Sequence, residues 1–365
     1  MESWRLIDLG NPDPYVAQSF YEAVAESVER GVSENTLIML QPGSPYACIG
    51  FHQDLLKEID VDFCRSKGLP IIRRGQGGGA TYLDGNQVFY QIVAKDSEVV
   101  PREVERQFER LLSVTVNTYR RFSLDAEFKP LNDVVVKGKK ISGNGAGLYE
   151  STSILVGNII LDLDYDMMAR VLKVPDEKFR DKLAKSMKDW VTSLKAELGE
   201  APSSEEVKEV YVEEFQKIFD VKLKPSKPNS VEWEIFYTQI KPKHLSKEWL
   251  YMEAPIFAQR DGRSVKVAGP VKVVEVDYKA KKLIRVRAEI KGYEILNIQI
   301  HGDFFSIPEK SISDLETLLQ GATLDDQKIR KIVESFYNES RIQTPGVEPE
   351  DFAAAILRIR DFIDK

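Results

Sequence analysis

Arg73-Arg74-Gly75-Gln76-Gly77-Gly78-Gly79-Ala80-Thr81-Tyr82-Leu83-Asp84-Gly85-Asn86 is the stretch that decides the reading of this chain. Four glycines fall within five positions, directly after two arginines. Residues 69–72 upstream and 88–93 downstream are short apolar runs that predict strands. The stretch is therefore a glycine loop between strands. It is neither the strand-to-helix turn of a dinucleotide fold nor a P-loop, whose lysine pattern is missing. Glycine lets backbone approach a ligand closely and lets successive N–H groups point at an anion. Arginine adds a forked donor that suits phosphate or carboxylate. On a strand Arg73 and Arg74 face opposite sides, so one points into a given site and the other makes structural pairs. The bland alternative is a flexible hairpin with two solvated arginines.

Outward from the loop, the chain reads as a globular α+β protein. It has 365 residues, 42% of them hydrophobic and 30% charged, which is ordinary for a packed core and unlike disorder. A net charge of -7 argues against a nucleic-acid platform. No apolar run reaches membrane-span length, and the first residues carry no signal-peptide pattern, so a cytoplasmic protein with no membrane partner is expected. The two cysteines, Cys48 and Cys64, and the three histidines, His52, His244 and His301, form no close-spaced metal set. Cys48 reads as a buried thiol. Helical periodicity is expected over residues 15–30, 54–67, 102–122, 205–219, 311–319, 325–337 and 349–363. Strands are expected at 4–9, 36–40, 46–50, 264–268, 271–277, 283–289 and 295–300, with turns at Gly262 and at 279–282. A Pro- and Lys-rich cluster at 222–230 reads as a linker, dividing the chain into residues 1–225 and 230–365.

A second stretch carries chemistry. Leu131-Asn132-Asp133-Val134-Val135-Val136 leads through Lys137-Gly138-Lys139 into Lys140-Ile141-Ser142-Gly143-Asn144-Gly145-Ala146-Gly147. The expected structure is a hairpin entering a second glycine-rich turn, followed by a buried strand at 155–162. From residue type alone, Lys140 reads equally as a solvated turn lysine or as a ligand. Asn132 and Asp133 read equally as turn chemistry or as site residues.

Together these residues resemble a known family. Arg-Arg-x-x-Gly-Gly-Gly-Ala-x-Tyr-x-Asp is similar to the signature loop of lipoate–protein ligases, in the biotin/lipoate ligase and octanoyltransferase superfamily. Asn132-Asp133 and Lys140-Ile141-Ser142-Gly143 resemble that family's second motif in type, order and spacing. Residues 186–194, ending Val191-Thr192-Ser193-Leu194, resemble its Val-Thr-x-Leu segment, with a partly helical closing loop before it at 168–186. Gly302-Asp303-Phe304-Phe305 and Leu315 to Gly321 resemble its accessory C-terminal domain, fused here.

The resemblance implies a large catalytic domain of mixed and antiparallel sheets flanked by helices, plus a smaller α+β accessory domain. It implies a two-step ligase: lipoate and MgATP give lipoyl-AMP, and a lysine of an acceptor lipoyl domain or lipoate-binding protein takes the acyl group. Lys140 matches the lysine that meets the lipoate carboxylate and then the adenylate phosphate. Arg74, Gly77, Gly78, Gly79, Ala80, Asn132 and Gly143 match positions that bind lipoate and ATP, and Asp133 matches a magnesium ligand. Residues 46–50 and 89–92 are expected to line the acyl pocket.

Three positions depart from the family pattern: Gln76 stands where Ser or Thr is common, and Leu83 and Val156 stand where histidines are usual. The loss of both histidines bears on acceptor or substrate choice. The main competitor is an octanoyl or lipoyl transferase of the same fold, which works through a cysteine thiolate. The resemblance puts that cysteine just before the segment matching Leu131-Asn132-Asp133, where this chain has Glu127-Phe128-Lys129, and no Pro-Cys-Gly is present. A non-catalytic lipoyl-binding module is the alternative from another class.

Overall fold

A computed structural model describes residues 2–174, 177–252, 265–268 and 271–363. The chain divides into two compact units. One comprises residues 1–49, 55–75 and 80–250, and the other comprises residues 50–54, 76–79 and 251–365.

The first unit is built on β1 (Glu2–Asp8), α1 (Pro14–Glu29), β2 (Thr36–Leu40), β3 (Tyr46–Ile49), α2 (Leu55–Glu58), α3 (Val61–Ser66), β4 (Ile71–Arg73), β5 (Thr81–Leu83) and β6 (Gln87–Ala94). It continues through α4 (Val104–Arg121), β7 (Ala126–Lys129), β8 (Asp133–Val136), β9 (Lys139–Tyr149) and β10 (Thr152–Ile160). After these come α5 (Tyr165–Val171), α6 (Glu177–Trp190), α7 (Leu194–Leu198), α8 (Ser204–Phe219) and β11 (Val221–Ser226). Eight strands form one mixed sheet in the order β11-β1-β2-β6-β10-β9-β8-β7, and β4-β3-β5 form a small second sheet.

Helix α1 starts where Asp13 caps it, the carboxylate accepting from the amides of Tyr15 and Val16, with Pro14 in the first turn. Its Val16, Phe20 and Val24 sit in a core with Ile38, Leu40, Phe89 and Val93 of the large sheet. Helix α4 buries Phe108, Leu111, Leu112, Thr115 and Tyr119, the stripe its sequence period predicts.

Several expectations are corrected here. The glycine-rich stretch after Lys140 is not a turn. Gly143, Gly145 and Gly147 lie in the eleven-residue strand β9, whose residues 144–147 pair with Gly157, Val156, Leu155 and Ile154 of β10. On the paired strand β10, Gly157 is required because other groups fill the space a side chain would take. A Cβ on Gly157 would collide with Asn144 Oδ1 and Tyr90 Oη and lie 2.5 Å from Tyr90 Cζ.

The cluster at 222–230 is not a linker either. Residues 221–226 form β11, a parallel edge strand on β1, where Pro225 forfeits no ladder bond to a further strand. Beyond it, Asn229 and Glu232 close a capping box on α9 (Ser230–Ile235), which runs through a π-turn at Phe236–Ile240 into α10 (Lys241–Leu245) and α11 (Lys247–Tyr251). Arg5 of β1 grips the fully buried Glu232 with both ends of its fork, at 2.6 and 3.1 Å. The first unit therefore reaches Leu250 instead of ending near 225. The expected helix over 54–67 is two short ones, α2 and α3.

The second unit carries β12 (Val265–Ala268), β13 (Val271–Lys279), β14 (Leu283–Lys291) and β15 (Glu294–Gly302) as an antiparallel meander. It is covered by α12 (Ser311–Leu319), α13 (Asp326–Ser340) and α14 (Pro349–Leu357). Val286, Ile298, Ile300, Leu315, Ile329, Val333 and Phe352 are among its core residues. The turn expected at Gly262 lies outside the described residues. Among the described residues, no helix is long and apolar enough to cross a membrane.

Candidate active site

Lys140 stands near the start of β9, and a bulge sets where its side chain goes. Asp133 pairs with Gly143 and Val134 with Ser142, but Val135 pairs with Lys140, which leaves Ile141 as the extra residue. That extra residue breaks the strict alternation of faces, so Lys140 and Gly143, three apart, meet on one side. The Lys140 Cε lies 3.4 Å from where a Gly143 Cβ would stand, and Nζ lies 3.7 Å from it. Gly143 is thus the floor on which the lysine stem rests. The ammonium reaches Asp133 Oδ1 at 2.6 Å, and both side chains remain about one-third exposed. Lys139, its neighbour, turns away and donates to the Lys188 carbonyl at 2.7 Å.

Buried polar groups hold this hairpin in place. The Tyr119 phenol, fully buried on α4, donates to the Ile141 carbonyl at 2.6 Å and accepts the Ile160 amide at 3.1 Å. It therefore pins the bulge. The Asn132 amide donates to the Asn144 carbonyl at 2.6 Å, and the Asn144 amide donates back to the Asn132 carbonyl at 2.9 Å. Asn144 Oδ1 accepts from Tyr90 Oη, which in turn accepts from Thr115 at 2.8 Å. Burial pushes the Tyr90 hydroxyl up to about 12, so it stays a protonated donor. Asn158 accepts the Gly143 amide at 2.8 Å and donates to Gln87 at 2.6 Å. Asn144 and Asn158 are site residues that sequence reading missed. The available signal was a polar amide recurring inside otherwise apolar strands.

The Val191-Thr192 segment lies beside the lysine. Val191 bridges Lys140 in parallel, and the Thr192 amide donates to the Lys140 carbonyl at 2.8 Å. Ser193 caps α7. Two stretches distant in sequence, 131–143 and 191–194, thereby meet at one strand.

The two arginines divide as their alternation predicts. Arg73 is fully buried and donates from Nε and Nη2 to the Leu250 carbonyl at 3.0 and 2.9 Å. Arg74 is half-buried, and its Nη1 lies 3.4 Å from Cys48 Sγ. Tyr46 and Cys48 of β3 both donate to Gln18 Oε1, at 3.0 and 3.5 Å. Burial raises the Cys48 thiol, against the opposing pull of Arg74. Cys64 is also buried, and burial with Asp60 nearby pushes it to about 11. Ala80 is half-buried just ahead of β5. The expected acyl-pocket stretches are strand β3 and the middle of β6, both buried.

Gly77, Gly78 and Gly79 belong with the second unit. A Cβ on Gly77 would overlap the Phe304 carbonyl oxygen and lie 2.9 Å from Phe305 Cα, so only glycine fits. Gly78 takes a φ of +91°. Within that unit the Gly302 amide donates to the His52 carbonyl at 2.9 Å, and His52 stacks on Phe304 at 4.9 Å. The glycine run and Gly302-Asp303-Phe304-Phe305 are therefore neighbours in one unit. Among the described residues, no set of three or more His, Cys, Asp or Glu is placed to hold a metal. Asp133 stands as a single carboxylate, which suits an ion that takes most of its ligands from a triphosphate.

Comparison with known proteins places the chain in a family. The family model for the lipoyl protein ligase A/B catalytic domain matches residues 13–216, and that for the bacterial lipoate protein ligase C-terminus matches residues 283–356. Lipoate-protein ligase LplJ of Bacillus subtilis is 24% identical over 82% of this chain and 85% of its own length. Octanoyltransferase LipM of Kyrpidia tusciae is 26% identical over 69% of this chain and 99% of its own length. A solved structure of an archaeal lipoylation system, a bi-partite lipoate protein ligase and its E2 lipoyl domain from Thermoplasma acidophilum, superposes with a TM-score of 0.61. It is 26% identical and covers 69% of this chain and 97% of that one. The catalytic-domain match spans more than half of the chain, which therefore belongs to the lipoyl protein ligase A/B family, the enzymes that include lipoate ligases and octanoyltransferases.

Proposed function

We propose that this protein is an ATP-dependent lipoate–protein ligase. A lipoate carboxylate oxygen attacks the α-phosphorus of MgATP, forming lipoyl-AMP and releasing pyrophosphate. A lysine amine of an acceptor lipoyl domain then attacks the acyl carbonyl. The amide forms, the C–O bond to AMP breaks, and AMP leaves with the carboxylate oxygen. Lys140 neutralises the attacking carboxylate and then the phosphoryl oxygen of the anhydride, a role for a compact cation at a fixed position. Arg74, Gly77, Gly78, Gly79 and Ala80 bind the nucleotide and carboxylate. Asn132 and Gly143 join them in binding lipoate and ATP, Gly143 also carrying the Lys140 stem, and Asp133 is a carboxylate offered to magnesium.

The observation that carries this reading over an octanoyltransferase is the state of the thiols. The chain has two cysteines, and both are buried with their thiols pushed up. A transferase needs an accessible thiolate. The similarity of LipM over 99% of its own length and 69% of this chain keeps the transferase as the second reading. Lipoate-dependent ATP–pyrophosphate exchange decides between them, run on the intact protein and on Cys48→Ser and Cys64→Ser. Exchange that survives both substitutions supports the ligase. No exchange, with acyl transfer from an octanoyl thioester that Cys48→Ser abolishes, replaces it with the transferase.

A further inference from the structure

A ring-like network of contacts reaches the backbone beside Arg74, and neither the fold nor the proposed chemistry accounts for it. The ring begins at Glu22, a buried carboxylate on α1. His244 Nε2 meets its Oε1 at 2.9 Å, and Lys243 pairs with its Oε2. Burial opposes the charge on Glu22, but His244 and Lys243 more than offset it and hold the carboxyl down at about 2. His244, itself fully buried, packs edge-on against Trp249 at 5.3 Å, and the Lys243 ammonium lies 4.2 Å from the Trp249 ring centre. Trp249 Nε1 donates to the Arg73 carbonyl at 2.9 Å, and the Arg73 guanidinium donates twice to the next carbonyl, that of Leu250. Glu22 also neighbours Gly75, where a Cβ, were there one, would stand 3.5 Å from Glu22 Oε1.

Arg74 lies between the two residues this ring fixes. Its own amide donates to the Ile49 carbonyl at 3.0 Å. Gln18, one helical turn before Glu22, holds Tyr46 and Cys48 beneath the Arg74 side chain. Buried charges and three oriented hydrogen bonds are a costly way to hold a surface helix down, because apolar contacts would serve that purpose with no desolvation penalty. They are well suited to holding a backbone to within a few tenths of an ångström.

We infer that Glu22, Lys243, His244 and Trp249 are positioning residues that set the backbone of residues 73–75, and through it the aim of Arg74 at the bound anion. The inference rests on the ligase reading for its kinetic consequence but not for its structural one.

The test uses Trp249→Phe, which removes the indole N–H together with the pyrrole half of the ring system and keeps a six-membered ring near Lys243 and His244. Ser203→Ala is the comparator: it deletes the N-cap of α8, where the hydroxyl accepts the Glu206 amide at 3.2 Å, and costs stability outside the ring. Two readouts are taken on the full chain. Amide hydrogen exchange of the peptide containing Arg74 and Gly75, in the protein without ligands, is expected to quicken at least tenfold in Trp249→Phe and to stay unchanged in Ser203→Ala. In pyrophosphate exchange, KM for lipoate and ATP is expected to rise at least fivefold in Trp249→Phe with kcat within twofold, while Ser203→Ala keeps both. His244→Gln, which retains a donor for Glu22, is expected to fall between wild type and His244→Ala. Unchanged amide exchange overturns the ring. Quickened amide exchange with unchanged KM overturns its positioning role. Wild-type protein that catalyses no pyrophosphate exchange sinks the ligase reading instead, and the ring is then judged on amide exchange alone.

Discussion

Replacing Lys140 by Met separates the lysine's part in the fold from its part in the chemistry. In the fold it makes one ion pair, with Asp133 at 2.6 Å, and the two side chains are 38% and 33% exposed. A pair that solvated contributes at most about 1 kcal/mol. Met keeps the stem that rests on Gly143, so packing changes little. Removing a fixed donor aimed at developing charge in a reacting site costs far more, about 2.7–4 kcal/mol, a factor of roughly 10²–10³ in rate. Lys140→Met is therefore expected to unfold within about 1 kcal/mol of wild type in urea while losing at least a hundredfold in lipoate-dependent pyrophosphate exchange. A variant that unfolds like wild type and exchanges within threefold of it would remove Lys140 from the mechanism.

Gly157→Ala should destabilise by about 2–4 kcal/mol, because the new methyl displaces Asn144 Oδ1 and Tyr90 Oη from each other, whereas Gly143→Ala should cost under about 1 kcal/mol. Urea melts of both variants check this pair, and equal losses would contradict it. Arg5→Ala leaves the fully buried Glu232 uncompensated and should cost about 3–5 kcal/mol, with protection lost in residues 230–251; a loss below about 1 kcal/mol would detach that segment from the first unit. Glu316 has its carboxyl raised by burial to about 7 from an ordinary 4.5, against the pull of the Ile300 amide, which donates to it at 2.6 Å. The folded protein holds this proton more tightly than the unfolded chain. Its contribution is therefore fully present below pH 4.5 and lost as pH rises through 7. Glu316→Gln should gain about 1–3 kcal/mol at pH 8 and nothing at pH 4, and an equal gain at both would refute the burial argument.

Much of the fold was legible because its signals were local. Helix α1 announced itself by period and strands β2 and β6 as short apolar runs, and helix α12 was expected at the residues it occupies. That one of Arg73 and Arg74 would make structural pairs was expected from strand alternation, and Arg73 does so at the Leu250 carbonyl. Three features were hidden for physical reasons. The glycines of β9 look like turn residues until their ladder with β10 is seen, and that pairing is not local in the sequence. Strand β11 looks like a linker because an edge strand tolerates Pro225, and nothing local reveals that β1 will pair with it. The third is the placement of residues 230–250 in the first unit, decided by Arg5 and Glu22, which lie more than two hundred residues upstream of their partners. At the site, the Lys140 stretch was found but its bulge was not. The bulge depends on Tyr119, a residue whose sequence position marks it only as core.

The central claim is that the acyl group passes through an adenylate. Lipoate labelled with ¹⁸O in both carboxylate oxygens, supplied with MgATP and an acceptor lipoyl domain, tests it directly. The account predicts AMP carrying one ¹⁸O per lipoyl group attached, because the bridging oxygen of the anhydride comes from lipoate and leaves with AMP. Lipoylation that yields no labelled AMP, or that proceeds without ATP from an acyl thioester, would contradict it.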